Sequence, residues 1–199
     1  MNASNPTYDF LKEIRIALVT GVTLLLLLCG LYPLLVWGIS QALFPWQASG
    51  SIIESQGAPI GSALLGQVFT AAKYFHSRPS NAGGGYDATS SGGSNLGQTS
   101  KTLMDSIQAR GTHYRLENGL AADAIIPADA VNSSASGLDP EISLENALLQ
   151  ISRVAKERKM EASQVERLLR DQYHGPSFGF LGEGGVNVLK LNLELDKQR

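Results

Sequence analysis

The sequence predicts an α+β protein, with one N-terminal transmembrane helix followed by a single exported domain that mixes helices and strands. Two observations predict this fold class. Residues 16–44 form an apolar run, and no charged residue occurs between Arg15 and Glu54. The carboxy-terminal part then carries helix and strand periodicities separated by glycine-rich loops. The predicted organisation is a short cytoplasmic tail at residues 1–11, a membrane helix at 12–46 and an exported domain at 47–199.

The apolar run is long enough to cross a membrane. About 20 apolar residues span a hydrocarbon core of roughly 30 Å, and residues 16–44 exceed that length. A buried core helix is one alternative, but core helices rarely stay uncharged for so long. A cleaved signal peptide is another, but its apolar region would span only about 7–15 residues. We expect an uncleaved anchor, kinked near Pro33 because proline lacks an amide hydrogen.

Basic residues at the ends of the run predict its orientation. Lys12 and Arg15 directly precede it, whereas the first basic residue after it is Lys73. Because lysine and arginine near a membrane helix stay in the cytoplasm, the tail should be cytoplasmic and the rest exported.

Composition narrows the function classes. The 199 residues carry a formal net charge of −2, so no basic surface points to nucleic acid. The single cysteine, Cys29, lies inside the anchor, which leaves the exported domain without a disulfide or a thiolate nucleophile.

The first half of the exported domain predicts short elements. Residues 47–66 suggest short strands or turns, and residues 68–75 suit either a strand or a helix. Residues 99–110 predict a short helix ended by Gly111. Residues 114–116 then resemble a strand before a turn at 118–119. Residues 125–131 predict an edge strand, because Pro127 cannot donate to a ladder.

The second half predicts two helices and a strand. One helix, beginning at Ser143 or at residues 139–140, presents an apolar face made by Leu144, Ala147, Leu148, Ile151 and Ala155. Residues 163–166 fit a capping box that opens a second helix, which residues 175–176 should end. Residues 188–195 read V-L-K-L-N-L-E-L, an alternation typical of a half-buried strand.

The candidate site is a glycine-rich loop. Residues 92–99 read G-G-S-N-L-G-Q-T, which is one residue from a phosphate-binding P-loop. Gln98 stands where that loop needs lysine, and polar residues 90–91 replace the buried strand that should precede it. A flexible linker is the alternative interpretation. The predicted nucleotide-binding or docking residues are Ser91, Gly92, Gly93, Ser94, Asn95 and Gly97.

We expect no catalytic residue and no metal site. The sequence contains no G-x-S-x-G elbow, no H-E-x-x-H and no paired cysteine ligands. His76, His113 and His174 are widely separated in the sequence. Asp123, Asp129 and Asp139 suit turns and helix caps.

Several of these segments resemble a known family. In chain order, the resemblance is carried by residues 78–80, 91–97, 127–131, 134–140, 150–155, 179–183 and 186–193. Together with the single anchor, they closely resemble the C subunit of the Kdp potassium-transporting ATPase over nearly the whole chain. The sequence departs from that family at Gln98 and at residues 184–185, where the family has proline and a Pro-Arg pair. Residues 174–177 also lack an expected arginine.

The resemblance implies a bacterial inner-membrane complex with a periplasmic domain on this chain. The partners would be a channel-like A subunit that translocates potassium and a P-type ATPase B subunit, with inner-membrane lipid around the anchor. The C subunit would be a catalytic chaperone, not itself an enzyme, that raises the ATPase subunit's affinity for ATP. The resemblance implies no firmly bound cofactor and allows ATP as a ligand. Because an exported domain cannot reach cytosolic ATP, we expect that effect to pass indirectly through the membrane helix.

Two functions therefore follow from the sequence. The main hypothesis is a non-enzymatic accessory subunit that stabilises an ATP-driven potassium uptake complex. The alternative is a stand-alone, membrane-anchored periplasmic enzyme or ligand-binding domain. Replacing the helix with an unrelated anchor would abolish the first function and spare the second.

Overall fold

The computed structural model describes residues 6–55 and 57–198, with side chains from Phe10 onward. These residues form two compact units, with the boundary after Ser51. One apolar N-terminal helix precedes a region of mixed helices and strands, which confirms the predicted fold class. The tail at 1–11, the span at 12–46 and the exported domain at 47–199 stay predictions, and residues 1–5 lie outside the described residues.

The first unit is almost entirely helical. Its elements are α1 (Pro6–Leu25), a π-helical turn (Leu26–Leu31), α2 (Tyr32–Leu43) and the short α3 (Pro45–Ala48). The stretch Phe10–Leu43 is long and apolar enough to cross a membrane, and its most apolar part contains no residue buried within the protein. Apolar side chains exposed around a whole helix are typical of a membrane span.

Pro33 alters the helix in the turn that precedes it. The amide of Tyr32 donates to the carbonyl of Leu27, five residues back instead of four. A π-helical bond to the carbonyl of Leu28 would need the amide of residue 33, but Pro33 has no N–H. The usual α-helical donor to that carbonyl, the amide of Tyr32, is already bonded to the carbonyl of Leu27. A π-helical turn therefore precedes Pro33, an adjustment that membrane helices tolerate, and the kink stays a prediction.

The second unit joins short strands to longer helices. Its elements are β1 (Ile52–Ser55), β2 (Ala58–Ser62), α4 (Lys101–Asn118), a 3₁₀ turn (Ala128–Ala130), β3 (Glu141–Ile142), α5 (Leu144–Arg158), α6 (Ala162–Gln172), β4 (Tyr173–His174), β5 (Gly185–Asn187) and α7 (Val188–Asp196). Strands β1 and β2 form an antiparallel hairpin, which confirms the strands predicted within residues 47–66. A second antiparallel sheet has the order β3-β5-β4.

The core lies where α5, α6 and α7 pack around β5. Phe75 anchors an irregular segment to this core and is fully buried. The other buried members are Ile142, Ala147, Ile151, Val154, Ala155, Val165, Leu169, Val186, Val188, Leu191 and Leu195. Residues 68–75, predicted as a strand or a helix, are neither: they form turns and irregular backbone. The packing of Phe75 therefore holds a segment that has no regular structure of its own.

The two predicted carboxy-terminal helices are confirmed, α5 with one of its predicted caps and α6 with a shifted cap. Helix α5 begins after Ser143, whose hydroxyl accepts from the amide of Asn146. The capping box of α6 is formed by Glu161 and Gln164, two residues earlier than predicted. Helix α6 ends at Gln172, because the chain extends into β4 before it reaches Gly175.

Three predictions around α4 are wrong. Helix α4 continues through Gly111 to Asn118, so the predicted strand at residues 114–116 is helical, and Gly119 caps the helix in the left-handed conformation. Gly111 is an interior position, where an added Cβ would lie 3.4 Å from Ile126 Cδ1. It permits close packing instead of ending the helix. The predicted edge strand at residues 125–131 is irregular apart from its 3₁₀ turn.

The predicted strand at residues 188–195 is helix α7. Asn187 caps it by accepting from the amide of Lys190. Val188, Leu191 and Leu195 are buried at the spacing of one helical face. Asn192, expected to face solvent, is also buried: its Oδ1 accepts from the amide of Phe75 at 2.8 Å and its Nδ2 donates to the Phe75 carbonyl at 3.0 Å. These two hydrogen bonds favour a helix at residues 188–195 over the strand that the alternating pattern predicted.

Candidate functional site

The glycine-rich loop lies in the irregular chain before α4. Its C-terminal end leads into Ser100, whose hydroxyl caps α4 by accepting from the amide of Leu103. Ser94, Asn95 and Gly97 are exposed, and Asn95 adopts a left-handed φ of 53°. Ser91, Gly92 and Gly93 form the part of the loop that contacts the rest of the domain.

That contact is made with residues 134–137. The amide of Gly92 and the hydroxyl of Ser91 both donate to the carbonyl of Ser136, at 2.9 and 3.0 Å. A Cβ on Gly93 would lie 3.0 Å from the carbonyl oxygen of Ala135. The loop therefore has a defined position, which a flexible linker would lack. Gly93 is required there by close backbone approach.

The loop's geometry does not fit a phosphate cradle. The P-loop needs a strand before it and free amides that point at the anion. Residues 82–99 contain no strand, and the Gly92 amide is already bonded to Ser136. Nucleotide binding and docking at the predicted residues both stay predictions, but the geometry favours docking.

A second segment, residues 78–86, contacts residues 137–139, next to the part of the domain that holds the loop. The Arg78 guanidinium forms an ion pair with Asp139 at 2.8 Å, and the Ser80 hydroxyl donates to the carbonyl of Gly137 at 2.6 Å. The hydroxyl of Tyr86 donates to the carbonyl of Arg78. Burial raises the pKa of Tyr86 to about 12, so it stays a neutral donor. Together with the bonds of Ser91 and Gly92 to Ser136, these bonds join residues 78–86, 91–93 and 134–139 into one surface.

A buried polar network lies along one face of α5. Asn146, Gln150 and Arg153 are nearly inaccessible to solvent. The Arg153 guanidinium donates to the carbonyls of Ala72 and Tyr74 at 2.6 and 2.8 Å, and also to the side-chain oxygens of Asn118 and Gln150. Burial lowers the pKa of Arg153. One cation thus fixes α4, α5 and the irregular segment that carries Phe75.

The network continues through Asp129. Its carboxylate accepts from the Ser143 amide at 2.8 Å, from the Ser143 hydroxyl at 2.9 Å and from the Asn146 amide group at 2.9 Å. The Tyr114 hydroxyl donates to Asn146 Oδ1 at 2.8 Å, and burial raises the pKa of Tyr114. Among the described residues, every buried side-chain nitrogen and oxygen has a hydrogen-bond partner. Asp129 lies in the 3₁₀ turn, as a turn residue was predicted to, and it supports Ser143, the residue that caps α5.

Two histidines that are distant in sequence meet at Glu117. His76 Nδ1 lies 3.1 Å from Glu117 Oε1, and His113 Nδ1 lies 3.9 Å from Glu117 Oε2. Burial and the Arg153 guanidinium lower the pKa of His76, although Glu117 opposes that shift. His174 lies elsewhere, 2.8 Å from Glu141. Within the described part of the chain, no three histidine, cysteine or carboxylate side chains are placed to hold a metal.

An acidic recess of about 470 Å³ opens beside Arg78 and Asp139. Arg78 contributes its cationic lining. The carboxylates that line it are Asp129, Asp139, Glu141, Glu145 and Glu183. Gly184 and Gly185 also line it, and a Cβ on Gly185 would lie 2.7 Å from Glu141 Oε2. Gly185 therefore gives the Glu141 side chain its space, whereas Gly184 makes room for Tyr173 and His174.

The sequence contained a signal for the polar network that periodicity alone did not reveal. Asn146, Gln150 and Arg153 follow one another at four and three residues, on the same side of α5 as the apolar core positions. Polar side chains on a core-facing stripe are costly unless they are hydrogen-bonded. Their spacing could have predicted a buried network.

Comparisons with known proteins agree with the resemblance. The family described as K+-transporting ATPase, c chain, matches residues 14–197. A Potassium-transporting ATPase KdpC subunit from Mycobacterium tuberculosis (strain ATCC 25618 / H37Rv) is 55% identical over 83% of this chain and 88% of its own length. Proteins of the same name from Nitratidesulfovibrio vulgaris and Koribacter versatilis are 50% and 48% identical, over 94% and 90% of this chain and 94% and 91% of their own lengths.

The family match covers the anchor, the glycine-rich loop, the buried network and α7, with no large part of the described chain left outside it. The chain belongs to the KdpC family, the c chain of the K+-transporting ATPase.

Proposed function

We propose that this chain is a non-catalytic accessory subunit of an ATP-driven, high-affinity potassium uptake complex of the bacterial inner membrane. The observation that carries the proposal is the family match over residues 14–197, with relatives of up to 55% identity that are named as subunits of a potassium-transporting ATPase. The single apolar helix Phe10–Leu43 supports a membrane-anchored subunit.

The proposed orientation places the N-terminus in the cytoplasm and residues 47–199 in the periplasm. Lys12 and Arg15 support it, because basic residues flank the cytoplasmic end of a membrane helix. A phosphatase that is active only after export should therefore be active when fused after Arg199. A reporter that works only in the cytosol should be silent at the same position, and activity there would reverse the orientation.

The proposed partners are a channel-like A subunit that translocates potassium and a P-type ATPase B subunit. Within that complex the chain stabilises the assembly and raises the ATPase subunit's affinity for ATP. The route is indirect, through the membrane helix, because a periplasmic domain cannot reach cytosolic ATP. The amide of Gly92 supports an indirect route, since it is bonded to Ser136 and is not a free donor for a phosphate.

The test compares three assemblies of the pump: with this chain, without it, and with its first 46 residues replaced by an unrelated single-span anchor. Potassium-stimulated ATP hydrolysis is measured against ATP concentration. We expect the KM for ATP to rise without the chain and with the foreign anchor, while kcat per intact ATPase changes less. If the foreign anchor restores full ATP affinity, the membrane helix is only a tether, which is the role it would have in a stand-alone periplasmic protein.

The variant Gln98→Lys separates the two interpretations of the loop. It restores the lysine that a P-loop uses to contact the β- and γ-phosphates. For a docking loop, nucleotide binding by the full chain stays unchanged, as measured by displacement of a fluorescent ATP analogue. A marked gain in ATP affinity would instead assign the loop to nucleotide.

A further inference from the structure

An exposed aromatic loop follows β4. Residues 175–182 read G-P-S-F-G-F-L-G and contain no ionisable side chain. Phe178 is 88% exposed and Phe180 is 75% exposed, and Leu181 beside them is half exposed. Large apolar side chains grouped in this way mark an interaction site more often than scattered ones do. We refer to residues 175–182 as the aromatic loop.

The aromatic loop has a defined backbone. Ser177 and Leu181 exchange two hydrogen bonds of 2.9 Å each, and Gly179 donates its amide to the Pro176 carbonyl at 3.0 Å. Phe178 adopts a left-handed φ of 54°, which is unfavourable for a bulky residue. The backbone therefore holds an aromatic ring in solvent at a conformational cost, a pattern that points to function when the strain is observed.

The surface next to the aromatic loop is acidic. His174 precedes the loop and pairs with Glu141, which by its hydrogen bond raises the pKa of His174. Glu183 follows the loop and lines the acidic recess together with Glu141. Two exposed phenyl rings thus project beside a recess rich in carboxylates.

This charge pattern discriminates among three occupants. A lipid surface is disfavoured, because aromatic loops that bind membranes use nearby lysine or arginine to meet anionic headgroups. A second copy of this chain is disfavoured, because a two-fold contact would bring like carboxylates together. A different protein with basic residues around an apolar pocket matches both the rings and the recess.

We propose that the aromatic loop docks into an apolar pocket on another protein, with Phe178 and Phe180 as the anchoring side chains and with basic residues of that protein facing the recess around Glu183. Identification of that protein as another subunit of the same pump rests on the proposed function. Aromatic side chains, phenylalanine included, are enriched at the cores of protein interfaces, where a few anchoring residues carry most of the binding energy. Pre-organisation of the loop lowers the entropic cost of docking.

The test uses full-length chain in a complex purified through a tag on a different pump subunit. We expect the double variant Phe178→Ser/Phe180→Ser to weaken retention of the chain by about 30-fold or more, the effect of losing one or two anchoring residues. Ile125→Ser is the matched control, since Ile125 is 93% exposed on the same domain but lies outside the loop. It should be retained like the wild type.

Phe178→Gly separates docking from a structural role. Glycine tolerates the left-handed φ, so the variant chain alone should unfold at the same temperature as the wild type or higher. Its retention in the complex should nevertheless fall. A loss of thermal stability without loss of retention would overturn the proposal.

Glu183→Lys tests the electrostatic part of the proposal. It should lower retention at low salt and reduce the salt dependence of binding, because exposed charge pairs are screened. Retention that is unchanged or improved would overturn the basic character assigned to the partner.

A fluorescent label distinguishes the occupants. A polarity-sensitive dye is attached to Ser177→Cys in a Cys29→Ala background, and the chain is placed in nanodiscs of zwitterionic or anionic lipid. A blue shift that needs the other pump subunits supports the proposal. A blue shift in nanodiscs without them assigns the loop to lipid, and a wild-type dimer that the double variant abolishes assigns it to a second copy; either result overturns the proposal.

The design keeps this proposal separable from the proposed function. If the wild-type chain is not retained with any pump subunit, the proposed function fails and the docking proposal fails with it. If the wild type and the double variant are retained equally, only the docking proposal is overturned.

Discussion

The two units of this protein differ in which side chains they expose and which they bury. In the helical unit, apolar side chains such as Leu18, Leu34 and Trp37 are more than half exposed, and backbone hydrogen bonds form within the helix. In the mixed unit, polar side chains such as Asn146, Gln150 and Arg153 are buried, and they support backbone that is not helical. The exposed apolar side chains of the first unit therefore favour an apolar solvent. The buried polar groups of the second unit are instead hydrogen-bonded to one another within the protein.

The difference shows where each unit is vulnerable. A charge introduced within residues 16–44 would meet no charged side chain of that run. A single apolar substitution in the mixed unit can leave several buried carbonyl groups without donors. The predictions that follow test this contrast, in order of decreasing expected effect.

Removal of the buried cation should have the largest effect. Arg153→Met keeps much of the side-chain volume but deprives the carbonyls of Ala72 and Tyr74, and the side chains of Asn118 and Gln150, of their donor. We expect a loss of about 3–5 kcal/mol in the free energy of unfolding, since buried acceptors are left unpaired. Denaturant unfolding of the full chain in detergent, followed by circular dichroism, measures it.

Arg167→Met is the matched control, since Arg167 lies exposed on α6. It should change the free energy of unfolding by less than about 0.5 kcal/mol. Equal effects at the two positions would contradict a specific role for the buried network.

A charge in the helical unit should have the next largest effect, and on insertion instead of folding. Leu27→Asp places a carboxylate near the middle of Phe10–Leu43 and should raise the free energy of insertion by about 3 kcal/mol. An in vitro translocation assay that scores inserted against translocated helix measures it. The same change at the end of the span, Leu43→Asp, should cost much less, and equal costs would mean that the helix is not centred in lipid.

A side chain added at the close contact of the glycine-rich loop should have a smaller energetic effect than Arg153→Met or Leu27→Asp. Gly93→Val forces a branched side chain against the carbonyl of Ala135 and should destabilise the mixed unit by about 1–3 kcal/mol. Gly92→Ala is the control, because a Cβ there meets no atom within 4 Å. Thermal unfolding of the two variants should separate them, and equal melting temperatures would show that the loop is not held against residues 134–137.

The smallest expected effect is a pH dependence confined to the mixed unit. Burial and Arg153 lower the pKa of His76, so the stability that neutral His76 contributes is present above the unfolded-state pKa and is lost as the pH falls through the folded-state pKa. His174 has the opposite sign: its pKa is raised, so its contribution is present at low pH and lost as the pH rises.

Melting temperatures between pH 5 and 8 test both signs. His76→Gln should flatten the acid side of the wild-type profile, and His174→Gln the neutral side. The helical signal of residues 16–44 should not respond to pH at all, since no carboxyl, histidine, lysine or arginine side chain lies among them. Superimposable profiles of His76→Gln and the wild type would contradict the assigned shift.

The sequence by itself determined the parts whose structure depends on local composition. The uncharged run at residues 16–44 predicts a membrane-type helix, because partition into an apolar solvent depends on the side chains of that run alone. The amphipathic faces of α5 and α6 likewise predict two helices that the structure confirms. The motifs around residues 91–97 and 134–140 indicated the family, which the comparisons confirm.

Tertiary structure alone decided the parts whose local signals are ambiguous. The alternation at residues 188–195 fits a strand as well as a helix, and it becomes α7 because Asn192 bonds both the amide and the carbonyl of Phe75 while Leu191 and Leu195 enter the core. Gly111 reads as a helix end but serves as a packing position inside α4. The irregular segments around residues 63–99 have no period at all, and side chains distant in sequence, Arg153 and Arg158, provide the donors for the carbonyl groups of residues 72–74. A local pattern cannot encode a hydrogen bond whose partner lies about 80 residues away, so the sequence specifies such a segment only through the completed fold.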